Sequence, residues 1–172
     1  MKKIKLLNAV FLVSLFLTIS VSIWLYFQLS REIGNISFQK EHSDSPHFRL
    51  CPDNKIYQYY SVNTSFVGGR NAIREEIYKF LKVLDDKDHS FSGYVTTRFI
   101  VNCNGEIDRI RIKSVNSHFQ DYSINAASSN LIIQAIRRLK NFIPGQSSNG
   151  QSVNSYFQLN FKIEAGEIID IF

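Results

Sequence analysis

From Gly93 to Lys113 the chain alternates apolar and polar positions twice over. Val95, Thr97, Phe99 and Val101 interleave with Tyr94, Thr96, Arg98 and Ile100, the period-two signature of a strand with two unlike faces. Asn102-Cys103-Asn104-Gly105 then interrupts the run with residues that accept positive φ. A second alternating run, Ile107 to Lys113, follows at once. Strands joined by so short a turn are antiparallel neighbours, so the stretch predicts a β-hairpin on which the rest of the domain packs. Val95, Thr97, Phe99 and Val101, joined by Ile110 and Ile112, are expected to face helices. Arg109, Arg111 and Lys113 are expected on the opposite side.

Helical spacing flanks the hairpin. Ile73, Ile77, Phe80, Leu81 and Leu84 form one apolar face over Asn71–Leu84. Ile124 to Asn141 carries a second stripe, Ile124, Ala127, Leu131, Ala135 and Leu139, widened by Ile132 and Ile136. Arg137, Arg138 and Lys140 close that helix, where cations suit the negative end of its dipole, and Pro144-Gly145 stops it. Ser155 to Ile163 alternates again, Ala165-Gly166 permits a turn, and Ile168 to Phe172 returns as a short fourth strand. The order helix, strand, strand, helix, strand, strand predicts an α+β fold: an antiparallel three- to four-stranded sheet with two helices on one face.

The N-terminus follows a different pattern. No charged residue lies between Lys5 and Arg31, and Leu6 to Phe27 is almost continuously apolar. A helix crosses the hydrocarbon core in about 20 residues, so the run predicts one transmembrane helix. It is longer than the apolar stretch of a cleaved signal peptide and ends in bulky Trp24, Leu25, Tyr26 and Phe27, which favours an uncleaved anchor. Lys2, Lys3 and Lys5 should keep residues 1–5 in the cytoplasm. Residues 6–28 form the anchor, 29–49 a linker, 50–65 a partly ordered segment rich in aromatics, and 66–172 the domain outside.

Composition narrows the function. With 44% hydrophobic and 20% charged residues the chain is that of a folded protein. The net charge of +5 is spread over helices, hairpin and N-terminus, with no basic cluster interleaved with aromatics of the kind nucleic-acid binding requires. Cys51 and Cys103, placed outside the cytoplasm, are compatible with one disulfide or with two unrelated thiols. His42, His47, His89 and His118 are scattered and CxxC is absent, so no metal or cofactor is expected. Asp85, Asp86 and Asp88 with His89 form the one dense ionisable group. It lies in a polar connection without a nucleophile, phosphate loop or metal-ligand spacing, so neither an enzyme nor a small-molecule substrate is expected.

Taken together, the pattern resembles the TonB C-terminal domain in the broad form found in Bacteroidetes-type bacteria. Phe66-Val67-Gly68-Gly69 resembles that family's F-P-G-G before its first helix. Gly93-Tyr94-Val95 through Asn102, then Gly105-Glu106-Ile107, resembles its hairpin. Phe142-Ile143-Pro144-Gly145 followed by Asn149-Gly150-Gln151 and Val153 resembles its W-x-P-G…N-G-x-x-V, and Tyr156 to Ile163 its final strand. The likeness covers about Phe66 to Ile163. It implies a single-pass inner-membrane protein whose periplasmic domain pairs a strand edge with an outer-membrane receptor and takes force from an ExbB/ExbD-like motor. The edge carried over is Tyr156, Phe157, Gln158, Leu159, Asn160, Phe161, Lys162 and Ile163, and the pairing is β-augmentation. Phe66, Gly68, Gly69, Gly93, Gly105, Pro144 and Gly145 carry over as structural positions. Three features depart from the best-known transducers: only three prolines in the chain, no His in the anchor, and an extra strand at Ile168–Phe172 that can cover the receptor edge. The alternative is a structural or regulatory envelope protein that uses the fold without transducing force.

Overall fold

The alternating run Ser155–Ile163 lies within Ser152–Glu164, which in the computed structural model is the strand that organises the sheet. The structure describes residues 2–32, 44–52, 55–85 and 88–172, with side chains of residues 2–7, 9 and 27–32 left aside. The helices are α1 (Lys2–Glu32), α2 (Tyr59–Val62), α3 (Gly69–Phe80) and α4 (Ala126–Arg137). The strands are β1 (Ile56–Gln58), β2 (Ser65–Phe66), β3 (Gly93–Val101), β4 (Ile107–Asn116), β5 (Asp121–Tyr122), β6 (Phe142–Ile143), β7 (Gly145–Gln146), β8 (Ser152–Glu164) and β9 (Glu167–Ile171).

The chain divides into two compact units, Met1–Ser37 and Phe38–Phe172. In the first, α1 is a single helix of 31 residues. Its described side chains are those of residue 8 and residues 10–26, all exposed. Among the described residues, no helix is long and apolar enough to cross a membrane. The expected span at Leu6–Gln28 extends beyond the described side chains at both ends.

The second unit is α+β, with the helices and the sheet expected, but the sheet is mixed and larger. Its strand order is β1-β8-β3-β4-β5, with β7 and β9 also on β8, while β2 and β6 form a separate antiparallel pair. Among the described residues, the one parallel contact is β1 on β8, Tyr57 opposite Ser155. The hairpin is present, with Thr97 opposite Ile112, and β3 pairs with β8 over its whole length, from Gly93↔Ile163 to Val101↔Ser155. Gly105 holds φ +77° in the hairpin turn, and a Cβ there would lie 2.5 Å from the Phe142 carbonyl oxygen. No other residue type meets both conditions without displacement.

One core forms between the helices and one face of this sheet. Ile73 and Ile77 of α3, Ile132 and Ile136 of α4, and Val95, Phe99, Val101, Phe157, Leu159, Phe161 and Ile163 of the strands are buried in it. Burying such side chains stabilises the domain by roughly 1.5–3 kcal/mol each. α3 stops at Phe80, yet Leu81 and Leu84 continue into the core beyond its end. The α4 stripe is rotated from the expected one: Ala127 is exposed and Ser128 is fully buried. Ser128 lies inside because its hydroxyl accepts the Asp85 N–H, at 3.2 Å, a polar partner that hydrophobicity alone does not reveal. Arg109 is likewise displaced from the open sheet face. A bulge between Arg98 and Ile100 sets Arg109 at φ +54° and leaves it 9% exposed.

Candidate functional site

Alternation along β8 puts Phe157, Leu159, Phe161 and Ile163 in the core and turns Gln158, Asn160 and Lys162 to the other face. The expected partner edge, Tyr156–Ile163, is not an edge strand. β3 holds its first flank throughout, and its second flank is shared by β1 at Asn154–Tyr156 and β9 at Phe161–Glu164. Asn160 donates its N–H to the Phe172 carbonyl at 2.8 Å and accepts the Phe172 N–H at 2.9 Å. Every second residue of a strand turns its main-chain groups the same way, so Gln158 also presents N–H and C=O to the second flank. β1 ends opposite Tyr156 and β9 reaches only to Asn160. Among the described residues, Gln158 is therefore the position of this flank that no strand covers. The extra C-terminal strand does pair beside the expected edge, as its alternation allowed.

Among the described residues, the opposite face of the sheet is half covered. The segment at residues 44–52 lies across its hairpin end, bound at several points. Asp44 takes both guanidinium nitrogens of Arg111, at 3.0 and 3.2 Å. The Ser45 N–H donates to Asp108 at 2.6 Å, the Asn102 amide to the Arg49 carbonyl at 3.0 Å, and the Cys51 N–H to Asn154 at 2.9 Å. Cys51 and Cys103 are joined in a disulfide, with Cα atoms 6.0 Å apart, within the usual span. The pairing that sequence left open is made, and it ties this strap to the hairpin turn. Asp108, 2% exposed, is held by Ser45 and by Arg137 of α4 at 3.2 Å. Buried carboxylates persist when so partnered.

Beneath the strap, Arg98 lies over the Tyr156 ring at 4.2 Å and donates to Gln58 at 3.2 Å. Burial pushes the Tyr156 phenol above its ordinary value, against the pull of Arg98 and Arg109. Burial also lowers the Arg98 guanidinium, opposed by Tyr156 and Tyr60.

The ionisable cluster before the hairpin, where it is described, contacts the start of α4. Asp88 accepts the Asn125 N–H at 3.0 Å and Asp85 accepts the Asn125 amide at 3.3 Å. Asn125 itself caps α4, accepting from Ser128 N–H at 2.8 Å. His89 is exposed, and Asp86 lies outside the described residues, as does His42. Among the described residues, no group of His, Cys, Asp and Glu is placed to hold a metal. Of the positions carried over as structural, Phe66 packs edge-on against Phe142 at 5.0 Å, and Gly68 and Gly69 open α3 at positive φ. Gly93 abuts the Val115 carbonyl, Pro144 is partly buried, and Gly145 is pressed against Val62 and Thr64.

No family model, curated protein or solved structure matches the chain. The reading of the site therefore rests on its geometry.

Proposed function

We propose that the chain is a membrane-anchored TonB-like module, held at the bacterial inner membrane, whose periplasmic domain takes a partner protein's strand on the second flank of β8. The observation that carries this reading is the unfilled position at Gln158, set between two short strands on an otherwise paired thirteen-residue strand. A partner segment that first bonds Gln158 can extend along Asn160–Glu164 as the five-residue β9 yields to it. Main-chain bonds supply the affinity, and the side chains alternating along the incoming strand supply selectivity. The anchor reading is supported by the charge-free run from Leu6 to Ser30, which falls within α1, and by a disulfide, which persists in oxidising compartments. Energy transduction to an outer-membrane receptor, with an ExbB/ExbD-like motor, is the narrower form of the proposal.

One observation favours a second reading. β9 already pairs Phe161–Glu164 of the flank, which is how a protein protects an edge it does not use. A structural or regulatory envelope module would keep β9 in place permanently. A photo-reactive residue at Gln158, expressed in the full chain in intact cells, separates the two. Strand pairing predicts a discrete protein adduct from Gln158 and none from Lys79 on the exposed side of α3. Equal, diffuse labelling from both positions would leave the structural reading in possession.

A further inference from the structure

The end of the outer sheet face remote from the strap, which no described residue covers, carries a feature that strand pairing does not use. Phe119 sits in the turn between β4 and β5 at φ +59°, a conformation bulky residues rarely adopt, and the residue is 74% exposed. The turn is fixed by Asn116. Its carbonyl accepts from Phe119 N–H at 2.9 Å, and its side-chain oxygen accepts from His118 and Gln120 N–H at 2.9 and 3.0 Å. The Phe119 ring lies 8° from parallel with Tyr94, centroids 5.8 Å apart. Stacking on Tyr94 accounts for one face of the ring and leaves the residue otherwise largely open to water.

Its surroundings mix apolar surface with hydroxyls and paired charges. A shallow cavity of about 550 Å³ adjoins the two rings and is lined in addition by Ser92, Ser117, Lys162 and Glu164. Lys162 pairs with Glu164 at 2.9 Å and, across the face, Lys113 pairs with Asp121 at 3.4 Å. One step along the strands, Thr96 and Gln158 both donate to the Asn160 side-chain oxygen, at 3.0 and 3.1 Å. Among the described residues the Asn160 amide nitrogen has no acceptor. Flat aromatic surface, hydroxyls, an amide donor and self-compensated charge are complementary to a ligand that is apolar on its ring faces, rich in hydroxyls and uncharged. A phosphate-bearing ligand would meet Glu164 and Asp121, and a polycation would meet Lys113 and Lys162.

We propose that this end of the face binds a neutral hexopyranose oligosaccharide, one sugar ring stacking on Phe119 and its hydroxyls reaching Lys162, Glu164 and Asn160. The site departs from the expectation of no small-molecule ligand, and it uses side chains of Asn160, Lys162 and Glu164 where strand pairing uses the main chain of the same stretch. The test uses the full chain in lipid nanodiscs free of glycolipid, titrated calorimetrically with chitohexaose, cellohexaose and maltohexaose. Saturable binding of at least one is expected, weakened about tenfold by Phe119→Gly, the worth of one stacked ring. Glycine suits the positive φ, so that variant keeps the fold. Absence of saturable binding to all three sugars overturns the proposal, as does unchanged affinity in Phe119→Gly. Binding of an extended peptide at these residues, in place of any sugar, would overturn it equally.

Discussion

Removing the Cys51–Cys103 bridge is expected to cost the unit Phe38–Phe172 about 4 kcal/mol. The two residues are 52 apart in sequence, and the loop-entropy relation runs from about 3 kcal/mol for 15 residues to about 4.7 for 100. The double variant Cys51→Ser/Cys103→Ser keeps the other strap contacts, Asp44–Arg111, Ser45–Asp108 and Asn102–Arg49. The loss should therefore reflect the freed unfolded chain more than a rearranged native state. Urea unfolding of the full chain, followed by near-ultraviolet circular dichroism of the packed aromatics, reads the difference. With a slope of about 2 kcal/mol per molar urea, the midpoint should fall by about 2 M. The wild type in reductant should shift by the same amount. A double variant whose midpoint stays within a few tenths of a molar of wild type would refute the reasoning, since the bridge would then add nothing that the strap's polar contacts do not already supply.

Two further outcomes follow from single residues. Asn125→Ala removes the α4 cap and the Asp85 contact, and should lower unfolding stability by about 1 kcal/mol, read by the same urea titration. The folded Tyr156 phenol is raised above its ordinary 10.0 by burial. Its contribution is therefore complete below pH 10 and is lost as pH climbs through the raised folded value. Melting temperatures measured across that alkaline range should fall more steeply for wild type than for Tyr156→Phe, and parallel curves would exclude the assignment.

What could be read from the chain, and what could not, divides along physical lines. The hairpin, the long strand and both core helices announce themselves because alternation and helical spacing persist over nine residues or more. β1 does not: Ile56–Gln58 is three residues long and all partly exposed, and its parallel pairing depends on Ser155, about a hundred residues away. The strap escaped notice for a related reason. Asp44, Ser45 and Arg49 look like linker residues until Arg111, Asp108 and Asn102 supply their partners. Asp85 and Asp88 lie in a polar connection by sequence, and in the structure they bond Asn125 at the start of α4. Chain pattern located β8 and its two faces. Only tertiary pairing reveals that its second flank is filled on either side of Gln158.

The central claim is that a partner strand bonds the flank of β8 around Gln158. Gln158→Pro tests it most directly, because the N–H removed is turned away from β3 and serves no bond of the β3–β8 ladder. Leu159→Pro, whose N–H faces β3, is the comparison that should unfold the domain. With a photo-reactive residue at Phe172 reporting partner contact in intact cells, Gln158→Pro should remain folded and lose the partner adduct. A folded Gln158→Pro domain that forms the adduct at the wild-type yield would contradict the account.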